Sequence, residues 1–263
     1  MLTVLLPGAF IVVVIMLMLW WLGVRSHNFS YVDIGWAANF AVLALLYGTM
    51  GDGDVMRRVL ICGMYGAAGT RLALHLARRI IGHEEEGRYQ TLRREWGASG
   101  KLNLKFLLFF QGQAALNVAL SLPMLFAVMN PASALHPLEV AAVILWLGAF
   151  AGESIADAQL ARFKRNGTNA GRVCDVGLWS LSRHPNYFFE WLMWVAYALF
   201  ALPSPYGWIA PAMPLLMLHF LINITGVKPT EAQAVRSKGD AYRRYQQSVS
   251  AFVPWFPKRG ASR

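Results

Sequence analysis

The residues able to do chemistry in this chain are few, and most stand in apolar surroundings: Asp33, Arg71, His75, Glu153, Asp157 and Glu190. An ionisable group at membrane depth is costly, so each needs a partner or a task. Their spacing is helical. Arg71 and His75 are four apart, as are Glu153 and Asp157, and Asn186 and Glu190. Residues four apart share one face of a helix. Arg78 and Arg79 continue the first face, and the loop Ser182-Arg183-His184-Pro185-Asn186-Tyr187 leads into the third. Three polar faces near the same ends of their helices are expected to converge on one inward-opening cavity. Asp33 adds a carboxyl, and a carboxyl that keeps its proton out of water can donate it to a substrate oxygen.

The elements that position these groups are long apolar runs. A transmembrane helix needs roughly 20 apolar residues, and seven runs have that character: 2–24, 29–50, 56–77, 104–129, 137–159, 187–202 and 206–227. Lipid offers backbone amides no partners, and no run alternates with period two, so each is expected to be helical. The expected fold is an all-α integral membrane bundle of seven transmembrane helices forming one domain over 1–263, with a tail from 228. The first run has no basic segment before it and is long for a signal sequence, so it reads as a retained span.

Composition agrees. Hydrophobic residues make up 56% of the chain and charged ones 14%, against about a quarter charged in soluble domains. The net charge of +10 comes from basic residues that alternate with apolar runs instead of forming one face. That pattern argues against nucleic acid and for phosphate-bearing small molecules and anionic membrane lipid. Of 24 Lys and Arg, seven lie between span three and the first turn of span four, five between spans five and six, and eight after span seven. By the positive-inside rule these segments are cytoplasmic, the N-terminus is outside and the C-terminus inside. In a bacterial cell this is the inner membrane. Arg57 and Arg58 fall on the opposite side, beside Asp52 and Asp54.

Cys62 and Cys174 should be separated by the membrane, so no disulfide is expected, and no metal-ligand spacing exists around either. The run His83-Glu84-Glu85-Glu86 reads as a solvated acidic stretch, not a metal site. No phosphate loop, nucleophile elbow or HExxH occurs. Gly63, Gly66 and Gly69 form one small-residue stripe, and Gly148 with Gly152 another, both suited to close helix packing.

The run Gly177-Leu-Trp-Ser-Leu-Ser-Arg-His-Pro-Asn-Tyr-Phe-Phe-Glu190 resembles the signature of the steroid 5α-reductase-like membrane proteins, in their bacterial branch. Tyr31-Val-Asp33-Ile-Gly-Trp36, Gly87-Arg-Tyr-Gln90 and the tail from Gly239 to Pro257 fit the same branch, in order along most of the chain. The resemblance implies a seven-helix reductase that takes NADPH from the cytoplasm and delivers hydride to the C=C of a 3-oxo-Δ4-steroid or similar lipophilic enone. It assigns Asn186 and Glu190 to a cofactor-binding helix, with Asp157 as a cofactor-binding aspartate and Glu153 where an asparagine usually stands. Arg71 matches a family arginine, Lys164 falls at the adenosine phosphate end, and Tyr245, nine residues before Pro254, matches a tail tyrosine that contacts the cofactor. His75, Arg78, Arg79, Arg172, Arg183, His184 and Tyr187 complete the expected cofactor set.

Two positions depart from the family. Asp33 stands for a catalytic glutamate, and Ala68 occupies the place of a catalytic tyrosine, with Tyr65 about one turn away. Asp33 and Tyr65 are therefore the expected catalytic pair. The Arg-His-Pro-Asn-Tyr core is also similar to isoprenylcysteine carboxyl methyltransferases, which use S-adenosylmethionine, and that enzyme class is the alternative. A sterol- or lipid-binding transporter is a third reading, without the inverted repeats such proteins usually carry.

Overall fold

The computed structural model describes residues 1–97 and 100–258, so Arg259 and Arg263 of the basic tail lie outside it. Among the described residues every regular element is helical, and the strand-like pairing is a lone bridge between Ser182 and Ser250. The chain falls into two compact units: Met1–Pro137 with Phe200–Gly207, and Leu138–Leu199 with Trp208–Arg263.

The first unit contains α1 (Leu2–Ser26), α2 (Tyr31–Met50), α3 (Val55–Ile80), α4 (Gly87–Gly97), α5 (Leu102–Leu120) and α6 (Leu122–Val128). Helix α1 buries Val4, Gly8, Val12 and Met16, a stripe at every fourth residue, while Leu6, Phe10 and Leu17 face outward. An outward apolar face of that kind suits lipid, not water. Helices α5 and α6 follow each other through Ser121. Pro123 cannot donate a backbone hydrogen bond there, and Ser121 Oγ donates to the Val118 carbonyl at 2.8 Å.

Helices α2 and α3 form an antiparallel hairpin. Asp54 caps α3 by accepting from the Arg57 amide at 3.0 Å. A Cβ at Gly69 would lie 2.8 Å from the Ala37 carbonyl oxygen, so this glycine sets how closely the two helices approach. Of the expected stripe, Gly66 is in ordinary contact with Ala44, and Gly63 faces open space. Deeper in the unit, Asn39 Nδ2 donates to Asn117 Oδ1 at 3.0 Å, and Asn117 Nδ2 donates to the Trp36 carbonyl at 3.0 Å. This amide clasp ties α2 to α5 with both side chains buried.

The two arginines that ran against the charge pattern have internal partners. Arg57 is 1% exposed and donates to the carbonyls of Asn130, Ala132 and Ala134, closing the loop after α6. Arg58 Nη1 donates to the carbonyls of Gly48 and Gly51, at the C-terminal end of α2. A cation there also meets the negative end of the helix dipole.

The second unit contains α7 (Pro137–Arg165), α8 (Pro185–Ala201), α9 (Ala212–His219), a π-turn over Phe220–Ile224, α10 (Val227–Lys238) and α11 (Asp240–Ser248). At the π-turn the Thr225 amide donates to the Phe220 carbonyl, five residues back, at 2.9 Å. Gly226 follows because a Cβ there would lie 2.2 Å from the Leu221 carbonyl oxygen. On α7, Gly152 packs against the Phe189 ring, where an added Cβ would come within 2.5 Å, while Gly148 faces open space.

Six helical stretches among the described residues are long and apolar enough to cross a membrane: Leu2–Ser26, Tyr31–Met50, Val55–Ile80, Leu102–Val128, Pro137–Arg165 and Gly207–Lys238. The seventh expected span is the short one. Helix α8 has 17 residues, about 25 Å at the usual rise, against a hydrocarbon core of about 30 Å.

The Gly69 contact gives a paired test. Gly69→Ala should destabilise the protein in detergent by about 1–3 kcal/mol through overpacking, whereas Gly63→Ala should leave the melting temperature unchanged or raised. Equal effects at both positions would contradict the hairpin packing.

Candidate functional site

In the first unit, the turn between α1 and α2 is latched to the segment entering α4. Helix α1 ends with His27 in the left-handed region, which leaves backbone donors at the start of α2 in need of partners. Glu85 accepts from the Phe29 amide at 2.8 Å and takes Arg93 through two bonds of 2.9 Å each. The Glu86 amide donates to Ser30 Oγ at 2.9 Å, and the Glu86 carboxylate pairs with Arg79 at 2.6 Å. The acidic run expected to be solvated is thus a structural clasp for two of its three glutamates. Among the described residues no cluster of three metal-ligating groups occurs.

Asp33 lies in the first turn of α2, inside this clasp. The Tyr89 hydroxyl donates to Asp33 Oδ1 at 2.7 Å. Arg88, Glu86 and Arg79 are within electrostatic reach of the same carboxyl. Tyr89 is fully buried, with the Arg88 guanidinium 5.2 Å from its ring centre. Burial above all pushes the Tyr89 hydroxyl well above its ordinary range, so it stays a donor at physiological pH. Within Gly-Arg-Tyr-Gln nothing local marks Tyr89 for a role; the structure makes it the tyrosine that meets Asp33.

Tyr65 stands elsewhere. Its hydroxyl donates to the Leu120 carbonyl at 3.0 Å and its ring packs 5.9 Å from Phe40. Phe40 is seven residues beyond Asp33, about 10 Å along the helix. The α2–α3 register, with Gly69 at Ala37, Gly66 at Ala44 and Gly48 at Cys62, carries Asp33 to the level of residues 73–77. His75 lies on that stretch of α3, exposed, with Arg71 half-buried one turn before it and Arg78 and Arg79 exposed beyond it.

In the second unit, α7 and α8 present facing polar groups. Helix α8 begins with Pro185, whose fixed φ and missing N–H suit the first helical position. Asn186 Nδ2 in that first turn donates to Asp157 Oδ1 on α7 at 3.2 Å. A carboxylate can only accept, so the bond fixes which way the amide points. Asn186 Oδ1 is buried and has no hydrogen-bond partner among the described residues. Farther along, Trp146 Nε1 donates to the Tyr197 hydroxyl at 3.1 Å, and Glu153 and Glu190 are both within electrostatic reach of that hydroxyl.

Several residues expected to touch a cofactor act as internal ties. Arg183 Nε pairs with Glu231 Oε1 at 2.6 Å, and its Nη1 donates to the carbonyls of Gln246 and Val249. His184 lies 3.3 Å from Glu231 and stacks on Tyr187 with ring centres 5.5 Å apart. Gln246 Nε2 donates to Glu231 Oε2 at 2.8 Å. The Tyr245 hydroxyl, pushed up by burial, donates to the Trp179 carbonyl. Together these bonds fasten the loop before α8 to α10 and α11. Lys164 and Arg172 are exposed, and Lys164 lies within electrostatic reach of Lys238 and Cys174. Both cysteines are free, and burial raises the Cys174 thiol, which keeps it a poor nucleophile. Glu231, the hub of the network, had no role in the sequence reading. Its signal was that it is one of only two acids, with Asp240, in a basic tail.

The apolar helical spans define a helical membrane protein. A family model described as a protein of unknown function (DUF1295) matches residues 19–249, and the chain belongs to that family. No curated protein and no solved structure matches it.

Breaking a partly buried, charge-assisted pair from one side costs about 1–3 kcal/mol, because the other charge is left without its partner. Glu231→Gln should therefore lower the melting temperature in detergent and open the tail after Lys238 to limited proteolysis. An unchanged cleavage pattern would show that Glu231 does not hold the tail.

Proposed function

We propose that this protein is an NADPH-dependent membrane reductase acting on the C=C of a lipophilic enone such as a 3-oxo-Δ4-steroid. The observation that carries the proposal is Asn186: a half-buried side chain, aimed by Asp157, whose buried oxygen lacks a donor among the described residues. Such an orphan acceptor is costly unless a ligand supplies an N–H, and a nicotinamide carboxamide has one. The resemblance of residues 177–190 to the reductase signature supports the same assignment. The protein is read as seven spans, α8 included, with the N-terminus outside, the basic loops and C-terminus cytoplasmic, and the site open to the cytoplasm. The internal partners of Arg57 and Arg58 support this orientation, because sequestered arginines do not compete with the basic loops.

NADPH, when bound, supplies hydride to the β-carbon of the enone. The protein's part begins with Asp157, which orients Asn186. Basic residues in each unit, Arg71 and Arg79 in the first and Lys164 in the second, favour an anionic cofactor on the cytoplasmic side. Asp33 holds a proton at its carboxyl for the substrate oxygen, where negative charge develops. The Tyr89 hydroxyl fixes that carboxyl through Oδ1, taking the place that Tyr65 held in the sequence reading.

Purified protein in detergent should show a raised melting temperature with NADPH and none with S-adenosylmethionine. Asn186→Ala should remove the NADPH shift. Asp33→Asn should retain the shift while slowing enone-dependent NADPH oxidation by at least about 100-fold, the usual scale for losing a general acid. Stabilisation by S-adenosylmethionine instead would assign the fold to methyl transfer.

A further inference from the structure

After α11 the chain turns back onto the entrance of α8. Ser182 Oγ donates to the Phe252 carbonyl at 2.8 Å, the Trp255 amide donates to the Leu181 carbonyl at 2.9 Å, and the Lys258 amide donates to the Ser248 carbonyl at 2.9 Å. The Phe252 ring packs edge-on against Phe188 and Trp191, at 5.7 and 6.0 Å, in the first two turns of α8. The returning segment is therefore held within a few residues of the point where α8 begins.

Two features of that segment are unusual for a tail in water. Trp255 is 70% exposed and Phe256 81%, side by side between Pro254 and Pro257. Beside them the loop shapes a half-open hollow of about 370 Å³, with both rings at its rim. Its walls include Arg183, Lys258, Gln246, Ser248 and Ser250, and no carboxylate lines it among the described residues. Glu231 shares Arg183, so Lys258 is the charge an entering group would meet first.

We infer that this cavity binds the phosphate headgroup of an anionic phospholipid from the cytoplasmic leaflet, with Trp255 and Phe256 inserted beside it at the acyl-ester level. The inference rests on the reading that α8 crosses the membrane with its N-terminal end cytoplasmic. Each half of the site explains the other. Cationic and hydroxyl walls without a carboxylate complement a phosphodiester. Exposed aromatics next to them match the interfacial zone, where Trp anchors membrane proteins. Free phosphate would satisfy the walls but leave both rings stranded in water. A headgroup with its acyl chains covers both. Lipid bound here would also brace the Arg183–Glu231 network from its outer side.

The test is thermal stability of the delipidated full chain in neutral detergent, with phosphatidylglycerol, phosphatidylcholine, inorganic phosphate and NADPH added separately. Phosphatidylglycerol should raise the melting temperature well beyond phosphatidylcholine, and native mass spectrometry should show a retained anionic lipid. Lys258→Gln and Trp255→Ala should each at least halve the phosphatidylglycerol shift while keeping the NADPH shift of the unaltered protein. An undiminished phosphatidylglycerol shift in both variants would overturn the site, as would inorganic phosphate reproducing the full effect. If NADPH gives no shift while the lipid results hold, the redox reading falls and the lipid site stands.

Discussion

A charged group at the end of a membrane helix must find its counter-group inside the protein or reach water, because lipid supplies neither charge nor hydrogen bond. This constraint organises both units of the structure. Arg57 and Arg58 are absorbed by backbone carbonyls at one end of the α2–α3 hairpin. Arg93 is absorbed by Glu85 and the His27 carbonyl at the other. In the second unit Arg183 meets Glu231 and two tail carbonyls. Each tie is long-range in sequence or closes a loop, so removing one frees a segment as well as a side chain.

The candidate groups in each unit depend on these ties. Asp33 is positioned because the latch built from Glu85, Glu86 and Ser30 brings α4 over the start of α2, and Tyr89 comes with it. Asn186 is positioned because Pro185 starts α8 where the Arg183–His184 loop is held against α10 and α11. Residues that sequence comparison groups into one motif therefore divide their labour. In Arg-His-Pro-Asn-Tyr, the arginine and histidine secure the loop, the proline starts the helix, and the asparagine presents an unmet acceptor.

How much of this was legible in the sequence follows from the range of each interaction. Apolar length marks the membrane helices directly, since each span is a property of consecutive residues. Fourfold spacing placed Glu153 with Asp157 and Asn186 with Glu190 on shared faces, because helical period is local. The Asp157–Asn186 bond is consistent with those faces, whereas the Asp33–Tyr89 bond joins residues 56 apart through a loop whose path no local pattern encodes. The same reason hid Glu231 behind its basic neighbours and made Tyr65 the nearer choice of tyrosine. Glycine stripes were half legible: spacing identifies a face, but only the opposing helix decides that Gly69 and Gly152 are crowded while Gly63 and Gly148 are not.

The π-turn at Phe220–Ile224 has its own bearing on this arrangement. Inserting one residue into a helical turn advances every later side chain by about 100° around the axis. Helix α10 does not continue the line of α9: the chain bends at Thr225–Gly226, and the single carboxylate of α10, Glu231, meets Arg183 at 2.6 Å. The π-turn and the bend together turn the phase of α10 to the loop before α8, and Gly226 is the joint that tolerates the change.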